Sequence, residues 1–276
     1  MLLWAFLSAI ATGVIWGITP ALYSEATRRN GPICANAWKS WGALTVSWLI
    51  ITVLDLFEVP SPKTFTYIAL NSLLGAVAGD YAFFRGIALS GAGKATPVGF
   101  TYILWASIIS TIFLGEPFSS RVILGAMLSV FGIWLLSTEK GEWNVIGIAW
   151  SLLASLMWAM SPMVMRLALV DINPVAASAW GSFIMAAIFS VLAVKSKRLR
   201  GVGTEKAILG GGIGIGIGLT LFYYSVSEIG VSVPVLATAI SPLVAQVASW
   251  AEGEPLTLRT IMGSAVIALG MTLGVV

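Results

Sequence analysis

The sequence predicts an all-α membrane protein with ten transmembrane helices, arranged as a 5+5 inverted repeat around a central cavity. Of the 276 residues, 58% are apolar and 10% are charged, whereas a soluble domain carries about 25% charged residues. Ten apolar stretches are long enough to cross a bilayer, and the same motifs recur in both halves of the chain. Because five spans per copy is an odd number, the two copies are expected to have opposite orientations.

The predicted spans follow one another with short polar or proline-containing breaks between them. A helix needs about 20 predominantly apolar residues to cross the hydrocarbon of a bilayer. The stretches that satisfy this requirement are 2–23, 33–54, 65–89, 94–115, 121–138, 143–168, 174–194, 205–228, 232–251 and 258–276. The first stretch resembles a signal peptide in its apolar character. It lacks a basic start, however, and its tryptophan–proline pattern recurs later, so we interpret it as the first span.

Spans 1 and 6 carry the same motif. Trp16-Gly-Ile-Thr-Pro20 in span 1 corresponds to Trp158-Ala-Met-Ser-Pro162 in span 6, and the offset is 158 − 16 = 142 residues. Each proline removes a backbone donor inside its helix and leaves a carbonyl of the preceding turn without its usual partner.

A second motif, Gly-Glu-Pro, closes spans 4 and 9. It occurs at 115–117 and again at 253–255, and this offset, 253 − 115 = 138, is half of the chain length. We therefore predict two five-helix repeats, residues 1–138 and residues 139–276, with the second inverted relative to the first and the site between them.

Lysine and arginine residues predict the orientation in the membrane. Ten of them lie in loops after odd-numbered spans and three in loops after even-numbered spans, and cytoplasmic loops carry the excess of basic residues. The odd-numbered loops are therefore predicted to be cytoplasmic, and both termini external. The other two basic residues, Lys39 and Arg85, lie within spans and are expected to extend their charged ends toward the nearby surface.

The composition excludes several kinds of catalytic site. The chain has no histidine and a single cysteine, Cys34, so Ser-His-Asp and Cys-His nucleophiles and His/Cys metal sites are excluded. We therefore expect no enzyme activity, no metal and no cofactor. The expected partners are the lipid bilayer and a small-molecule substrate. Nucleic acid is not expected, because the basic residues cluster in one loop, and the chain is expected to be a monomer.

Prolines within the spans are the candidate hinges. In lipid, a carbonyl that has lost its helix donor must be satisfied by neighbouring groups or by water, so these helices are expected to line a cavity. A static kink that affects only packing is the alternative interpretation. The candidate hinges are Pro20, Pro97, Pro162 and Pro234.

Aromatic and polar side chains within the spans are the candidates for contact with a substrate. A buried indole N–H needs a hydrogen-bond partner, which favours the protein interior over lipid. Hydroxyl and amide groups suit a mixed cavity, although serine and threonine often bond only within their own helix. The candidate substrate-binding residues are Trp16, Asp80, Tyr81, Phe84, Thr101, Tyr102, Trp105, Trp158, Tyr223, Thr238, Ser241 and Gln246.

Asp80 is the one carboxylate expected to lie well inside a span. A charged group in the bilayer centre costs about 3 kcal/mol or more, so such a residue is by default functional or paired. Two roles are open: a proton acceptor in coupled transport, and a binder of a substrate ammonium group. A structural carboxyl, with Arg85 as one candidate partner, is the alternative. The repeat-equivalent position is apolar, near Leu219, so the two copies differ here.

The span count, the W-x-x-x-P motif and the Gly-Glu-Pro turns together resemble the drug/metabolite transporter superfamily, EamA type. The resemblance covers essentially the whole chain, and the aromatic interior looks most like the aromatic amino acid exporters of that superfamily, the YddG-like group. It implies that the first four helices of each half surround the cavity, that spans 5 and 10 are peripheral, and that export proceeds by alternating access. Both termini are often drawn in the cytoplasm for this family, contrary to the charge count.

The expected function is export of amino acids, aromatic ones among them, and of related small metabolites, across the inner membrane of a bacterium or archaeon. One alternative is a multidrug or cation exporter, in which Asp80 binds the cation. Another is a carrier of sugar phosphates or nucleotide sugars. That carrier needs basic residues in its cavity, and only Lys39, Arg85 and Lys94 approach the interior.

Overall fold

The computed structural model describes residues 2–114, 120–137, 144–196, 201–251, 253 and 256–275. All regular secondary structure in this part of the chain is helical, which confirms the predicted all-α class. The helices are α1 (Leu2–Asn30), α2 (Pro32–Val53), α3 (Pro62–Ser90), α4 (Ala92–Gly99), α5 (Tyr102–Leu114), α6 (Ser120–Ser137), α7 (Val145–Ala168), α8 (Pro174–Ser196), α9 (Thr204–Ile229), α10 (Ser232–Ala237), α11 (Ser241–Ala251) and α12 (Leu258–Val275).

Within the described ranges, six helical segments are long and apolar enough to cross a membrane. They are α1, α3, α7, α8, α9 and the segment Val233–Ala251 that runs through α10 and α11. Large apolar side chains are exposed on the outer surface, among them Trp4 (68%) and Trp250 (60%), as expected for contact with lipid. The chain is therefore a multi-pass membrane protein. The count of ten spans and their inverted arrangement remain predictions.

Two of the predicted spans are each divided into two helices. Span 4 is divided between α4 and α5 at residues 100–101, and span 9 between α10 and α11 by the 3₁₀ turn Thr238–Ile240. Each division comes about one turn after a proline, Pro97 in α4 and Pro234 in α10. The donor that each proline removes would have bonded the carbonyl four residues earlier, so the helix is also weakened on the other side of the proline.

Helices α3 and α9 each contain a stretch of π-helix near their middle. The stretches are Ser72–Gly79 in α3 and Gly212–Leu219 in α9. The wider π turn is rare and occurs often at functional sites. In both helices the stretch ends next to the central cavity described below.

The main contacts made by helices α1–α6 have counterparts among helices α7–α12, in the same order along the chain. Helix α1 packs against α9 and α11, while α7 packs against α3 and α5. In addition, α2 packs against α8, and α6 packs against α12. The helices α1, α3, α7 and α9 therefore surround the centre of the molecule, where the cavity lies.

Glycines allow α2 and α9 to touch through their backbones. A Cβ atom at Gly42 of α2 would overlap the carbonyl of Ile208, and one at Gly211 of α9 would overlap the carbonyl of Lys39. Small residues at such positions allow helices in a membrane protein to approach closely. The glycine-rich start of α9 therefore fixes the position of α2, and with it the position of Lys39.

Candidate functional site

A cavity of about 120 Å³ lies between α1, α2, α3, α7 and α9, next to the junction of α4 and α5. A single water needs roughly 15 Å³ by the same measure, so the cavity can hold several waters or a small organic molecule. Its wall is mainly apolar and rich in aromatic rings, and it carries one acidic and one basic side chain, Asp80 and Lys39.

The residues proposed from the sequence divide into two groups. Half of the predicted binding and hinge residues lie at the cavity wall, and these are Trp16, Pro20, Asp80, Phe84, Tyr102, Trp158, Pro162 and Tyr223. The other half lie elsewhere, and these are Tyr81, Pro97, Thr101, Trp105, Pro234, Thr238, Ser241 and Gln246. A place at the wall does not by itself establish contact with a substrate, so the roles of both groups remain predictions.

Asp80 of α3 forms an ion pair with Lys39 of α2. The exposed fractions of the two side chains are 9% and 2%, and in the described part of the chain no other charged residue is buried. The expectation that Lys39 reaches the membrane surface is therefore wrong, because its ammonium group binds a buried carboxylate instead. Arg85 is exposed, and its guanidinium group lies 5.5 Å from the ring of Trp150.

Each charge of the ion pair has a second partner. Trp158 of α7 donates its indole N–H to the other carboxylate oxygen at 3.0 Å. The ammonium group of Lys39 donates to Asn36 Oδ1 at 3.4 Å. It also lies 5.0 Å from the ring centroid of Phe84 and 5.7 Å from that of Tyr23, within the range of cation–π attraction. The pair is thus held from α1, α2, α3 and α7 together.

The other end of the cavity is polar but uncharged. The Tyr223 hydroxyl donates to Asn71 Oδ1 at 2.7 Å. The Asn71 amide donates to the Ser161 carbonyl at 2.8 Å and to the Ser161 hydroxyl at 2.6 Å. Asn71 and Asp80 flank the two ends of the π-helical stretch of α3. A charged end and a neutral hydrogen-bonding end are therefore joined by the aromatic wall.

The two tryptophans of the repeated motif occupy corresponding places beside the π-helical stretches. Trp16 donates its N–H to the carbonyl of Gly214 in α9 at 2.9 Å. Trp158 stands beside α3, where a Cβ atom at Gly79 would lie 2.6 Å from its indole ring. The next residue of α3 is the carboxylate that Trp158 binds, whereas the corresponding wall residue of α9 is Leu219. The motif is therefore used twice, but the charged pair is present in one copy only.

Pro20 and Pro162 follow these tryptophans by one turn and lie at the cavity wall. Each proline deprives the carbonyl four residues earlier of its helix donor, and that carbonyl belongs to Trp16 or Trp158, respectively. The two helices are therefore weakened at the level of the cavity. Whether they bend there remains a prediction.

Two predicted binding residues outside the wall join separate helices instead. Gln246 of α11 donates to the carbonyl of Gly93 in α4, the carbonyl that Pro97 deprives of its helix donor. Ser241 donates to the carbonyl of Gly13 in α1 at 2.6 Å. These side chains support the helices around the cavity.

The remaining predicted residues lie behind the wall or on other helix faces. The hydroxyl groups of Thr238 and Tyr102 are 2.7 Å apart, so Thr238 supports a wall residue without joining the wall. The Thr101 hydroxyl donates to the carbonyl of Val98 in α4 at 2.7 Å. Tyr81 meets Trp150 edge to face, and Trp105 packs against the hydrophobic core. Pro234 is buried in α10.

Sequence reasoning misses Lys39 and Asn71 among the wall residues. For Lys39 the available signal is the same one that identifies Asp80, a charged group within an apolar span. For Asn71 it is an amide within such a span, which must find partners inside the protein. Phe222 is missed as well; its ring lies 5.0 Å from that of Trp16, and an aromatic residue in a membrane helix gives no sign of the face it occupies.

Comparisons with known proteins agree with this architecture. The model of the EamA-like transporter family matches residues 3–138 and again residues 145–276. An uncharacterised transporter from Archaeoglobus fulgidus is 24% identical over 196 residues, which cover 70% of this chain and 69% of that protein. One solved crystal structure superimposes with a TM-score of 0.72 at 16% sequence identity, over 98% of this chain and 95% of the other; this likeness concerns the fold alone.

Proposed function

Because the chain belongs to the EamA-like transporter family, it is a membrane transporter, and we propose that it exports amino acids by alternating access. Aromatic amino acids are the first candidates among a broad set of substrates, as in the YddG-like exporters that the sequence resembles. The proposed location is the inner membrane of a bacterium or archaeon.

The observation that carries this proposal is the composition of the cavity wall. An amino acid has an ammonium group, a carboxylate and a side chain that is often apolar. Asp80 and Lys39 offer one opposite charge for each ionic group, and the neighbouring rings of Phe84 and Trp158 offer an apolar surface. Pockets for small molecules typically combine such an apolar lining with a few polar groups that fix orientation.

Alternating access is supported by the local weakness of the helices around the cavity. Pro20 and Pro162 lie at the wall of α1 and α7, and the breaks after Pro97 and Pro234 divide spans 4 and 9. Broken helices near the bilayer midplane, in corresponding positions of two repeats, are typical of secondary transporters. In this proposal the two inverted halves rock about these points, so that one face closes as the other opens.

A multidrug or cation exporter is the second candidate. The observation that favours it is the buried Asp80 carboxylate beside an aromatic wall, since carboxylates and ring faces both attract organic cations. A carrier of sugar phosphates is less well supported. Within the described chain, Lys39 is the buried cation, and it is already paired with Asp80.

The test is uptake into liposomes that contain the purified full-length chain. The panel comprises labelled phenylalanine, leucine and serine, a nucleotide sugar and a cationic dye, each with and without a pH gradient, and protein-free liposomes are the control. We expect uptake of amino acids that unlabelled aromatic amino acids compete. Uptake of the dye or the nucleotide sugar alone would replace the proposed substrate. If a gradient stimulates uptake, the same assay with Asp80→Asn shows whether that carboxylate carries the proton.

A further inference from the structure

We infer that the Lys39–Asp80 ion pair opens when substrate binds. Each of the two residues then pairs with the opposite charge of the substrate, and the site therefore selects zwitterions. The inference rests on the proposed function, and it assigns substrate selection to these two residues. Molecules that carry only the ammonium group or only the carboxylate are rejected.

The first argument is the placement of the pair. Both charged side chains lie at the wall of the cavity and contact each other there. A substrate that enters this end of the cavity therefore meets an acceptor and a donor side by side. The ammonium and the carboxylate of an amino acid are attached to one carbon atom, so they too lie side by side.

The second argument is that each charge keeps a protein partner when the pair separates. Asp80 retains the indole N–H of Trp158 at 3.0 Å. Lys39 retains Asn36 Oδ1 at 3.4 Å and the nearby rings of Phe84 and Tyr23. An ion pair whose members are supported separately can be interrupted without leaving either charge isolated, which is the costly outcome in a buried site.

The third argument concerns net charge. With a zwitterion bound, the two protein charges and the two substrate charges sum to zero, as they do in the empty cavity. A lone amine adds a positive charge beside Lys39, and a lone acid adds a negative charge beside Asp80. Like charges that share a buried site repel strongly, so such molecules are disfavoured although each could bind one member of the pair.

The fourth argument is the asymmetry between the two halves. The wall residue that corresponds to Asp80 is Leu219, and the position that corresponds to Lys39, at 39 + 142 = 181, is Gly181. The charged pair therefore exists once, at one end of the cavity. The substrate binds there by its charged groups, and its side chain extends along the aromatic wall toward Asn71 and Tyr223.

Competition among three compounds of nearly the same shape tests the inference. Purified full-length chain in detergent is equilibrated with labelled phenylalanine, and unlabelled phenylalanine, phenethylamine or 3-phenylpropionate is added. We expect the amine and the acid to compete at least about tenfold less well than the amino acid. Equal competition by the three compounds in the wild-type chain overturns the inference, whatever the variants do.

Charge-removing variants then assign the selection to the two residues. We expect Lys39→Met to favour the amine relative to phenylalanine, and Asp80→Asn to favour the acid. The double variant Lys39→Met/Asp80→Asn should lose the preference for zwitterions. Arg85→Met is the matched control, since Arg85 lies outside the cavity over the Trp150 ring, and it should keep the wild-type order. An unchanged order in the folded single variants contradicts the assignment.

Uptake into liposomes tests the proposed function separately from the competition experiment. Uptake of amino acids without discrimination among the three compounds leaves the proposed function in place and removes the ion pair as the selecting element. A lack of amino acid uptake, together with uptake of the dye or the nucleotide sugar, removes both. Both the competition and the uptake results come from the wild-type chain. The inference can therefore be tested even if a variant fails to fold.

Discussion

The indole of Trp158 connects the charged end of the cavity with its aromatic wall. Its N–H group binds Asp80, while its ring centroid lies 4.8 Å from that of Phe83, 6.1 Å from that of Phe100 and 6.4 Å from that of Tyr102. The ring packs and the N–H orients a carboxylate, so the two parts of one side chain serve different neighbours. A substitution that keeps an aromatic ring, although a smaller one, and removes the N–H tests the hydrogen bond to Asp80.

Trp158→Phe is that substitution. A hydrogen bond to a charged group contributes about 1.5–3 kcal/mol, and a change of 1.4 kcal/mol is tenfold, so we expect amino acid uptake to fall about tenfold or more. Initial uptake rates in liposomes measure the effect. Trp41→Phe is the matched control, because Trp41 is 49% exposed and bonds Ser190 away from the cavity. Equal losses in the two variants would show that the hydrogen bond to Asp80 has no special importance.

Among individual residues, the sequence identifies Asp80 as unusual but does not identify its ion-pair partner. A carboxylate in an apolar span stands out from its neighbours, whatever the fold. The partner Lys39 lies on another helix, 80 − 39 = 41 residues away, and periodicity relates only residues on the same helix. Arg85 is close in sequence but five positions on, which does not place it on the same helix face. Side-chain pairs between helices therefore require the packing arrangement, which the pattern of one span does not contain.

At the scale of the helix, Pro97 and Gln246 form a pair that joins two elements. The proline removes the donor for the Gly93 carbonyl within α4, and the amide of Gln246 in α11 donates to the same carbonyl. This hydrogen bond supports a broken helix, and contact of Gln246 with substrate remains a prediction. The pair also holds α4 against α11, the halves of spans 4 and 9 that meet beside the cavity.

A double-mutant cycle measures this relationship. Gln246→Ala removes the donor, and we expect it to lower the free energy of unfolding by about 1 kcal/mol. In Pro97→Ala, the new backbone N–H can bond the Gly93 carbonyl, so Gln246→Ala should cost less in that background. Thermal unfolding midpoints of the four proteins in one detergent give the coupling. Additive losses would mean that the amide and the proline act independently.

The contact between α2 and α9 leads to a prediction about packing. Gly211→Ala places a methyl group against the backbone carbonyl of Lys39, which no side-chain rotation can relieve. Overpacking of this kind typically costs about 1–3 kcal/mol, so we expect a lower unfolding midpoint. Gly181→Ala is the control, because its new Cβ atom meets only the Ser72 hydroxyl, at 3.3 Å. Similar midpoints for the two variants would show that α2 and α9 adjust without cost.

The positions of the helices can be predicted from the sequence better than the π-helical stretches within them. The predicted span 174–194 corresponds to Pro174–Ser196 and the predicted span 205–228 to Thr204–Ile229, because long apolar stretches with proline or polar ends mark membrane helices. The π-helical stretch Gly212–Leu219 has no comparable signal. Hydrophobicity reports which side chains avoid water, whereas the choice between α and π hydrogen bonding depends on how neighbouring helices pack.

For the whole molecule, the sequence repeat and the helix contacts point to the same pseudo-symmetry. The contacts of α1 with α9 and α11 correspond to those of α7 with α3 and α5, as expected when two copies of one unit assemble around an axis. Duplication made this relationship predictable, because related sequences form related contacts. The departure from symmetry, the single Lys39–Asp80 pair, lies at two positions where the two halves carry different residues, and this difference gives the cavity a charged end.

Contacts between the halves occur on both faces of the molecule. At one face, Asn30 of α1 donates to the carbonyl of Val202 at 2.8 Å. At the other, the Asn173 amide donates to Glu58 at 2.8 Å and to the Leu56 carbonyl at 3.0 Å. If the halves rock during transport, these two sets of hydrogen bonds must break in turn. Which face meets the cytoplasm then decides which set controls substrate entry.

The orientation of the molecule is the last prediction. The positive-inside rule places the basic segment after α8 in the cytoplasm, and so the segment between α2 and α3 outside. Cys34 is replaced by alanine, and a single cysteine is introduced by Ser196→Cys or by Val59→Cys, the latter at a site that is 69% exposed. A membrane-impermeant thiol reagent added to intact cells should label position 59 and should leave position 196 unlabelled until the cells are made permeable.

The opposite labelling pattern would show that both termini are cytoplasmic, as the family resemblance implies. The Lys39–Asp80 end of the cavity lies toward the α8 C-terminal face, because α2 starts and α3 ends on that side. With the predicted orientation and the proposed export function, a substrate meets the charged pair soon after it enters from the cytoplasm. With the reverse orientation, the pair would be the last contact before release, so the same labelling experiment also decides whether the ion pair acts in selection at entry.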